Sequence, residues 1–412
     1  MRKINTRNFR LATRQTQREV NRRIVLNLIR EYQPISRAEL ARRMSVRRGA
    51  VTLLVRELLE SGVVHETGPA AVVRGRRPTM LSVRTSGSLV AAADVRPAKT
   101  YLALADVGGR IVARQSIDTP ESPERLPDLL AEGFQQLLVQ HGSGDVVDQC
   151  VALGLVVPGM IDRKTGRLIY APRLGWRDVE LRREVSERLG LKVYIESAPI
   201  ACAMARLWLS PDETRGVNSF AYVHISDGVG VGMVLNGEAV RGETHSAGEF
   251  GHVTLDWNGP ECVCGRRGCW EALTCNSTTI ARYVAGATGE RKSGNGKVTP
   301  SPAALTIGEV VRRAKRGERA AVDAIVEAGR DIGRGLSLVV GAFNPGRIYV
   351  GGEITAAWEL LEEPVRLALA DGAITREARA TPVFPDGSPA EYRLQGAVAL
   401  VTAPTFAAHS VG

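Results

Sequence analysis

Four residues with soft or borderline donor atoms crowd one short stretch of this chain: His252, Cys262, Cys264 and Cys269, within the run from Gly248 to Glu271. Three thiolates and an imidazole complete a tetrahedral shell for Zn2+ and leave no position for water or substrate, so the metal they predict is structural. Gly265 and Gly268 supply the turns that let three sulfurs converge. Buried free thiols are a second reading of the same residues, and a disulfide a third. The third needs an oxidising compartment. The chain shows no signal peptide and no apolar run near the ~18 residues that span a bilayer, which points to a reducing cytoplasm and away from a membrane.

Charge is unevenly spread. Met1 to Thr85 holds 19 Arg and Lys against 6 Asp and Glu, a net of +13 in a chain whose total is +10, so everything after it carries −3. A basic head on a nearly neutral body is the distribution expected of a module that meets a polyanion. At 412 residues the chain is too long for one small core, and it divides as 1–85, 86–215 and 216–412.

The head reads as helices. Val20, Ile24 and Leu28, with Val25 and Ile29 beside them, make an apolar stripe from Arg18 to Tyr32. Ser36 and Glu39 form a capping box for a short helix through Met44, and Ser45 is placed to cap the next, whose buried face is Val51, Leu54, Val55, Leu58 and Leu59. Helix, tight turn, helix is the helix-turn-helix arrangement, in which the second helix enters the DNA major groove. Ser36, Arg47, Arg48, Thr52 and Arg56 are the candidate DNA contacts. Val63-Val64, a Gly68-Pro69 turn and Val72-Val73 predict a β-wing, and Arg76 and Arg77 on the Pro-fixed segment after it suit a narrow minor groove. Arginines here can also touch phosphate alone, which positions without specifying sequence.

From Leu89 the texture changes to short apolar strands: Leu89 to Val95, Tyr101 to Val107 and Ile111 to Ile117, turning at Gly108-Gly109. Ser219 to Ile225, Val229 to Leu235 and Ala239-Val240, turning at Asn236-Gly237, repeat the unit. Two such meanders, each followed by helices, imply a duplicated α/β body with a ligand cleft between its halves. The Gly-, Lys- and Ser-rich run from 288 to 302 reads as a surface insertion.

Taken together these pieces resemble the ROK family of bacterial repressors and sugar kinases. The resemblance rests on the winged helix ending in GRRPT, on Val157 to Asp162 with Gly159, on Gly228-Val229-Gly230 and Arg241-Gly242, on the ExGH run from Glu249 to His252, on CxCGxxGC with Glu271 after it, and on Asn344-Pro345 leading to Val350-Gly351-Gly352. It implies an actin-like, ribonuclease-H-like fold, and sugar-hydroxyl binding by Glu249, His252 and Glu271, with Ser197, Arg173 and Gly159 at the other positions of the pocket.

The departures from that pattern bear on chemistry. Kinases of the family open the body with Asp-x-Gly-Gly-Thr, whereas this chain has Asp94-Val95-Arg96-Pro97-Ala98, and Pro and Arg offer neither the free amides nor the turn of a phosphate cradle. Where the family has Asn-Asp after Glu, with Asp as general base, the run here is Glu196-Ser197-Ala198, and Ala198 accepts no proton. Arg173 stands in place of the Asn of APNLGW and favours an anionic or larger ligand if it points into the cleft. The reading is therefore a DNA-binding regulator, not an enzyme, that senses a carbohydrate-like effector, binds an operator in double-stranded DNA and assembles with itself as a dimer or tetramer. The rivals are a repressor with a degenerate cleft, a regulator controlled by a protein partner, and an ATP-dependent sugar kinase.

Overall fold

The computed structural model describes residues 13–69, 78–84, 87–142, 149–210, 216–243, 246–289, 305–386 and 389–407. In the head, α1 (Arg14–Tyr32) is capped by the Thr13 hydroxyl, which accepts from the Thr16 amide, and buries Val25, Leu26 and Ile29. It begins at Arg14, ahead of the apolar stripe that starts at Arg18. β1 (Ile35–Ser36) leads into α2 (Arg37–Arg43), where the Ser36 hydroxyl accepts the Glu39 amide at 3.2 Å as the capping box requires.

The next cap differs from expectation. α3 (Arg48–Glu60) has Arg47 at its N-cap with no side-chain bond, while Ser45 sits in the tight turn at φ +54°, too far back to cap. The wing is also shifted. β2 (Val64–Pro69) contains the Gly68-Pro69 expected as a turn, and its antiparallel partner is β3 (Thr79–Val83), which β1 joins on the other side. Val72-Val73, Arg76 and Arg77 lie outside the described residues, as does most of the 288–302 run.

The first lobe comprises β4 (Leu89–Val95), β5 (Lys99–Asp106), β6 (Ile111–Asp118), α4 (Leu126–Gln140), β7 (Cys150–Val157), a small sheet of β8 (Met160–Asp162), β9 (Arg167–Ala171) and β10 (Trp176–Val179), then α5 (Leu181–Leu189), β11 (Val193–Ser197) and α6 (Ala198–Leu209). The second comprises β12 (Phe220–Ile225), β13 (Val229–Leu235), β14 (Glu238–Val240), α7 (Trp270–Thr274), α8 (Asn276–Thr288), α9 (Ile307–Lys315), α10 (Arg319–Phe343), β15 (Ile348–Gly351), α11 (Trp358–Gly372), α12 (Arg376–Arg379) and β16 (Val383–Pro385), before α13 (Pro389–Phe406).

Both main sheets are wired alike. Their orders are β6-β5-β4-β7-β11 and β14-β13-β12-β15-β16, three antiparallel strands followed by two parallel ones. That repeated connectivity is the duplicated actin-like body, and the central strands are buried along nearly their whole length because both faces are covered. The chain's last helix departs from the division at residue 216. Leu394, Ala397, Val398 and Val401 of α13 share a core with Val90, Ala92 and Val156 of the first sheet and Ala201 of α6. A helix apolar on nearly all sides must be covered on all of them, and the space beside α6 provides that cover.

The same two helices hold the head. Phe406 enters the head's core with Val25 and Ile29. Arg30 of α1 lies over the rings of Trp208 (4.9 Å) and Phe406 (4.7 Å) and donates to the Trp208 carbonyl at 3.0 Å. Arg23 and Asn27 donate to the carbonyls of Ala407 and Phe406, each at 2.6 Å.

Candidate functional site

The sulfur-rich loop comes together as its spacing predicts. The ligand atoms of His252, Cys262, Cys264 and Cys269 all lie within 4.8 Å of one another. Cys262 Sγ is 3.6 Å from His252 Nδ1, and Cys264 Sγ is 3.6 Å from Cys269 Sγ. A tetrahedral zinc with Zn–S bonds of about 2.3 Å sets sulfur–sulfur edges of about 3.8 Å, so these donors fit the ion with little adjustment. All six cysteines are free thiols, which removes the disulfide reading. Gly268 shows why the turn needs its glycine: it holds φ +62°, and a Cβ there would lie 1.5 Å from the Asp256 carbonyl oxygen.

His252 turns its two nitrogens to different tasks. Nδ1 faces the sulfurs, while Nε2 faces Glu249, 3.8 Å from its carboxylate. A nitrogen committed to a metal fixes ring and tautomer, leaving Nε2–H as an oriented donor. Glu249, His252, Glu271, Ser197, Arg173 and Gly159 all line one cavity of about 470 Å3 between the lobes, a volume typical of small-molecule sites. Burial pushes the Glu249 carboxyl above its ordinary range, His252 opposing and Glu271 adding to the rise. Glu271 is buried and accepts the Val229 amide at 3.0 Å. Gly159 is held at φ +101° where a Cβ would meet the Tyr170 carbonyl at 2.2 Å, so close packing on β9 accounts for the glycine.

The opposite wall carries the altered positions. Ser197 and Ala198 start α6, and Glu196 before them is paired with Arg241 at 2.8 Å. A carboxylate bound to a guanidinium is a poor proton acceptor, and Ala198 is none at all. Arg173 points across the opening and donates to the Asp227 carbonyl on the β12–β13 turn.

Deeper in, the run from Asp94 to Ala98 is tied into a network of charges. Asp94, fully buried, accepts from Arg393 Nε at 2.8 and 2.9 Å and Nη2 at 2.5 Å, and from Arg96 Nε at 2.7 Å. Arg393 also faces His224 Nε2 at 3.5 Å. Burial, reinforced by Arg393 and Arg96, drops the His224 imidazole to about 3, so it is neutral at physiological pH. Arg393, His224 and Asp227 carry no signature in the sequence. Arg393 is one arginine in an apolar C-terminal helix, and only the return of that helix to the first lobe brings it to Asp94.

On the head, Arg47, Arg48, Thr52 and Arg56 form an exposed face along the start of α3. The Thr52 hydroxyl donates to the Arg48 carbonyl at 2.9 Å, and Arg56 has only a loose pairing with Glu60 at 3.7 Å. The Ser36 hydroxyl is occupied as a helix cap.

A family model described as the ROK family matches residues 90–403. The xylose repressor of Bacillus subtilis strain 168 is 27% identical over 350 residues, which is 85% of this chain and 86% of that protein. Among solved structures, a ROK family transcriptional regulator described as a homolog of the E. coli MLC protein superposes with a TM-score of 0.77 at 23% identity, covering 95% of this chain and 97% of its own. A ROK family glucokinase from Streptomyces griseus, solved with glucose and AMPPNP, gives a TM-score of 0.63 at 25% identity, covering 76% of this chain and 98% of its own.

Proposed function

The chain belongs to the ROK family, and from that premise we propose that it is a DNA-binding transcriptional regulator of carbohydrate-related genes, a repressor whose body senses a sugar or sugar derivative without phosphorylating it. The observation that carries the reading is the exposed basic face of α3, a recognition helix set behind a tight turn and flanked by a wing. The body supports the second half. Its proton acceptor is replaced by Ala198 and its phosphate end is filled by the Asp94–Arg393 pair, so binding is the task left to the cavity.

Zn2+ is the ion that the His252–Cys262–Cys264–Cys269 set suits best, and its part is to hold His252 toward the effector. Coupling to the head has a physical path. α6 begins on the cavity wall at Ala198 and ends at Trp208 against Arg30, so a shift of the helix at one end is felt at the other. Two heads in an assembled dimer would then meet half-sites roughly 34 Å apart, and the effector would act by favouring one head separation over another. No helix among the described residues is long and apolar enough to cross a membrane, and we place the regulator in the cytoplasm.

Footprinting on fragments of the source genome at physiological salt tests this. The expected result is protection of paired half-sites, with Arg48→Ala weakening operator binding by ~1–3 kcal/mol while binding to unrelated DNA changes less. Equal affinity for all duplexes, or turnover of ATP with a hexose, refutes it.

A further inference from the structure

The cations at the cavity differ in what already occupies them. Arg393 is taken up by both oxygens of Asp94. Arg173 is exposed, and among the described residues its partner is the backbone carbonyl of Asp227, not a carboxylate. Two residues along the same turn, the Val229 amide anchors Glu271. Arg173 and Glu271 thus converge on one turn from opposite lobes, and two residues of chain span at most ~7 Å, about the length of one pyranose ring with a substituent. The lining includes Ala198 and the hydroxyls of Ser197, Tyr170 and Ser226, and among the first-lobe residues there Arg173 is the exposed guanidinium.

We propose that the effector is an acidic sugar derivative, its hydroxyls held by Glu249, His252 and Glu271 and its carboxylate or phosphate paired with Arg173. This rests on the sensing role proposed above and names its ligand class. A planar guanidinium takes either anion through two parallel hydrogen bonds, whereas a backbone carbonyl uses little of that capacity. An anion arriving between the lobes takes over Arg173 from Asp227, turning a bond between lobes into one made through the ligand. Arg173 is then the specificity-determining residue of the cavity.

The experiment is calorimetric titration of the full-length, zinc-loaded protein with D-glucose, D-glucuronate, D-glucose 6-phosphate, D-xylose and D-xylonate, repeated with Arg173→Asn and Arg173→Lys. Arg319→Ala, at an exposed cation away from the cavity, serves as the control. We expect at least one acid to bind ~10–100-fold more tightly than its neutral parent, the scale of one charge-assisted pair. Arg173→Asn should erase that ratio, Arg173→Lys should keep part of it, and Arg319→Ala should keep it whole. The glucuronate and phosphate arms tell which anion is read. If a neutral sugar binds as well as its acid, or the ratio survives in Arg173→Asn, the acidic-ligand inference falls and sugar sensing stands. If none of the five binds, sensing falls and takes the inference with it.

Discussion

The Asp94–Arg393 pair closes the inner end of the cleft, and its contribution to the body can be measured. Both side chains are buried, at 0% and 8% exposure, and joined by three hydrogen bonds of 2.5 to 2.9 Å. Removing one partner of such a pair typically costs 3–5 kcal/mol, because the other stays buried and uncompensated. Arg393→Met leaves Asp94 with Arg96, so the lower end applies, ~3 kcal/mol. Asp94→Leu strands Arg393 beside Arg96 and His224, and the upper end applies, ~5 kcal/mol. At 2–4 °C per kcal/mol for a unit of this size, the body's transition should fall by roughly 6–12 °C in the first case and 10–20 °C in the second. Combining Arg393→Met with Asp94→Leu removes charge and countercharge together and should restore all but ~1–2 kcal/mol. Scanning calorimetry of the four proteins closes the cycle. A single substitution that costs less than ~1 kcal/mol, or a double variant as unstable as the two singles summed, refutes the claim that a built-in ion pair fills this end of the cleft.

Three further perturbations follow from the geometry. Cys262→Ser should release the metal, measurable by atomic absorption, and increase amide exchange around His252; retention of zinc at one ion per chain with unchanged exchange rules out the ligand set. For His224, the unfolded imidazole titrates near 6.5 and the buried one only at about 3. Between those values the unfolded chain holds a proton the folded chain lacks, so this contribution is intact above about pH 6.5 and is lost as pH falls toward 3, by up to ~5 kcal/mol. His224→Leu should flatten that limb of the stability–pH curve, Asp94 and Asp386 being common to both proteins; parallel curves argue against the assignment. Arg30→Ala should separate head and body melting into two calorimetric transitions by removing the contacts with Trp208 and Phe406, and a single unchanged transition counts against a rigid joint.

What was legible in the sequence was local. The capping box at Ser36, the hairpin turn at Asn236-Gly237 and the sulfur spacing each rest on residues a few positions apart, and each appears as expected. The Ser45 cap failed because the turn takes Ser45 into the left-handed region and places the helix N-cap two residues later, at Arg47, a fact set by the turn and not by residue type. The strand Thr79–Val83 was not anticipated, because what fixes it is pairing with β1 and β2, contacts that local propensity does not show. Arg393 was illegible for a stronger reason. Its partner is 299 positions away, and no spacing rule reaches that far.

That long-range closure also ties the two lobes to each other. Here Arg393 reaches from α13 to Asp94 in the first lobe and His224 in the second, and Arg206 of α6 pairs with buried Asp386 beyond β16 at 3.3 Å. The cleft is thus held by protein charges at its inner end, leaving Arg173 and the Glu249–Glu271 wall at its mouth as the part still free to answer a ligand. α13 carries Arg393 near its start and Phe406 at its end, and α6 runs from the cavity wall at Ala198 to Trp208 under Arg30, so the helices that line the cleft are the ones the head is packed on.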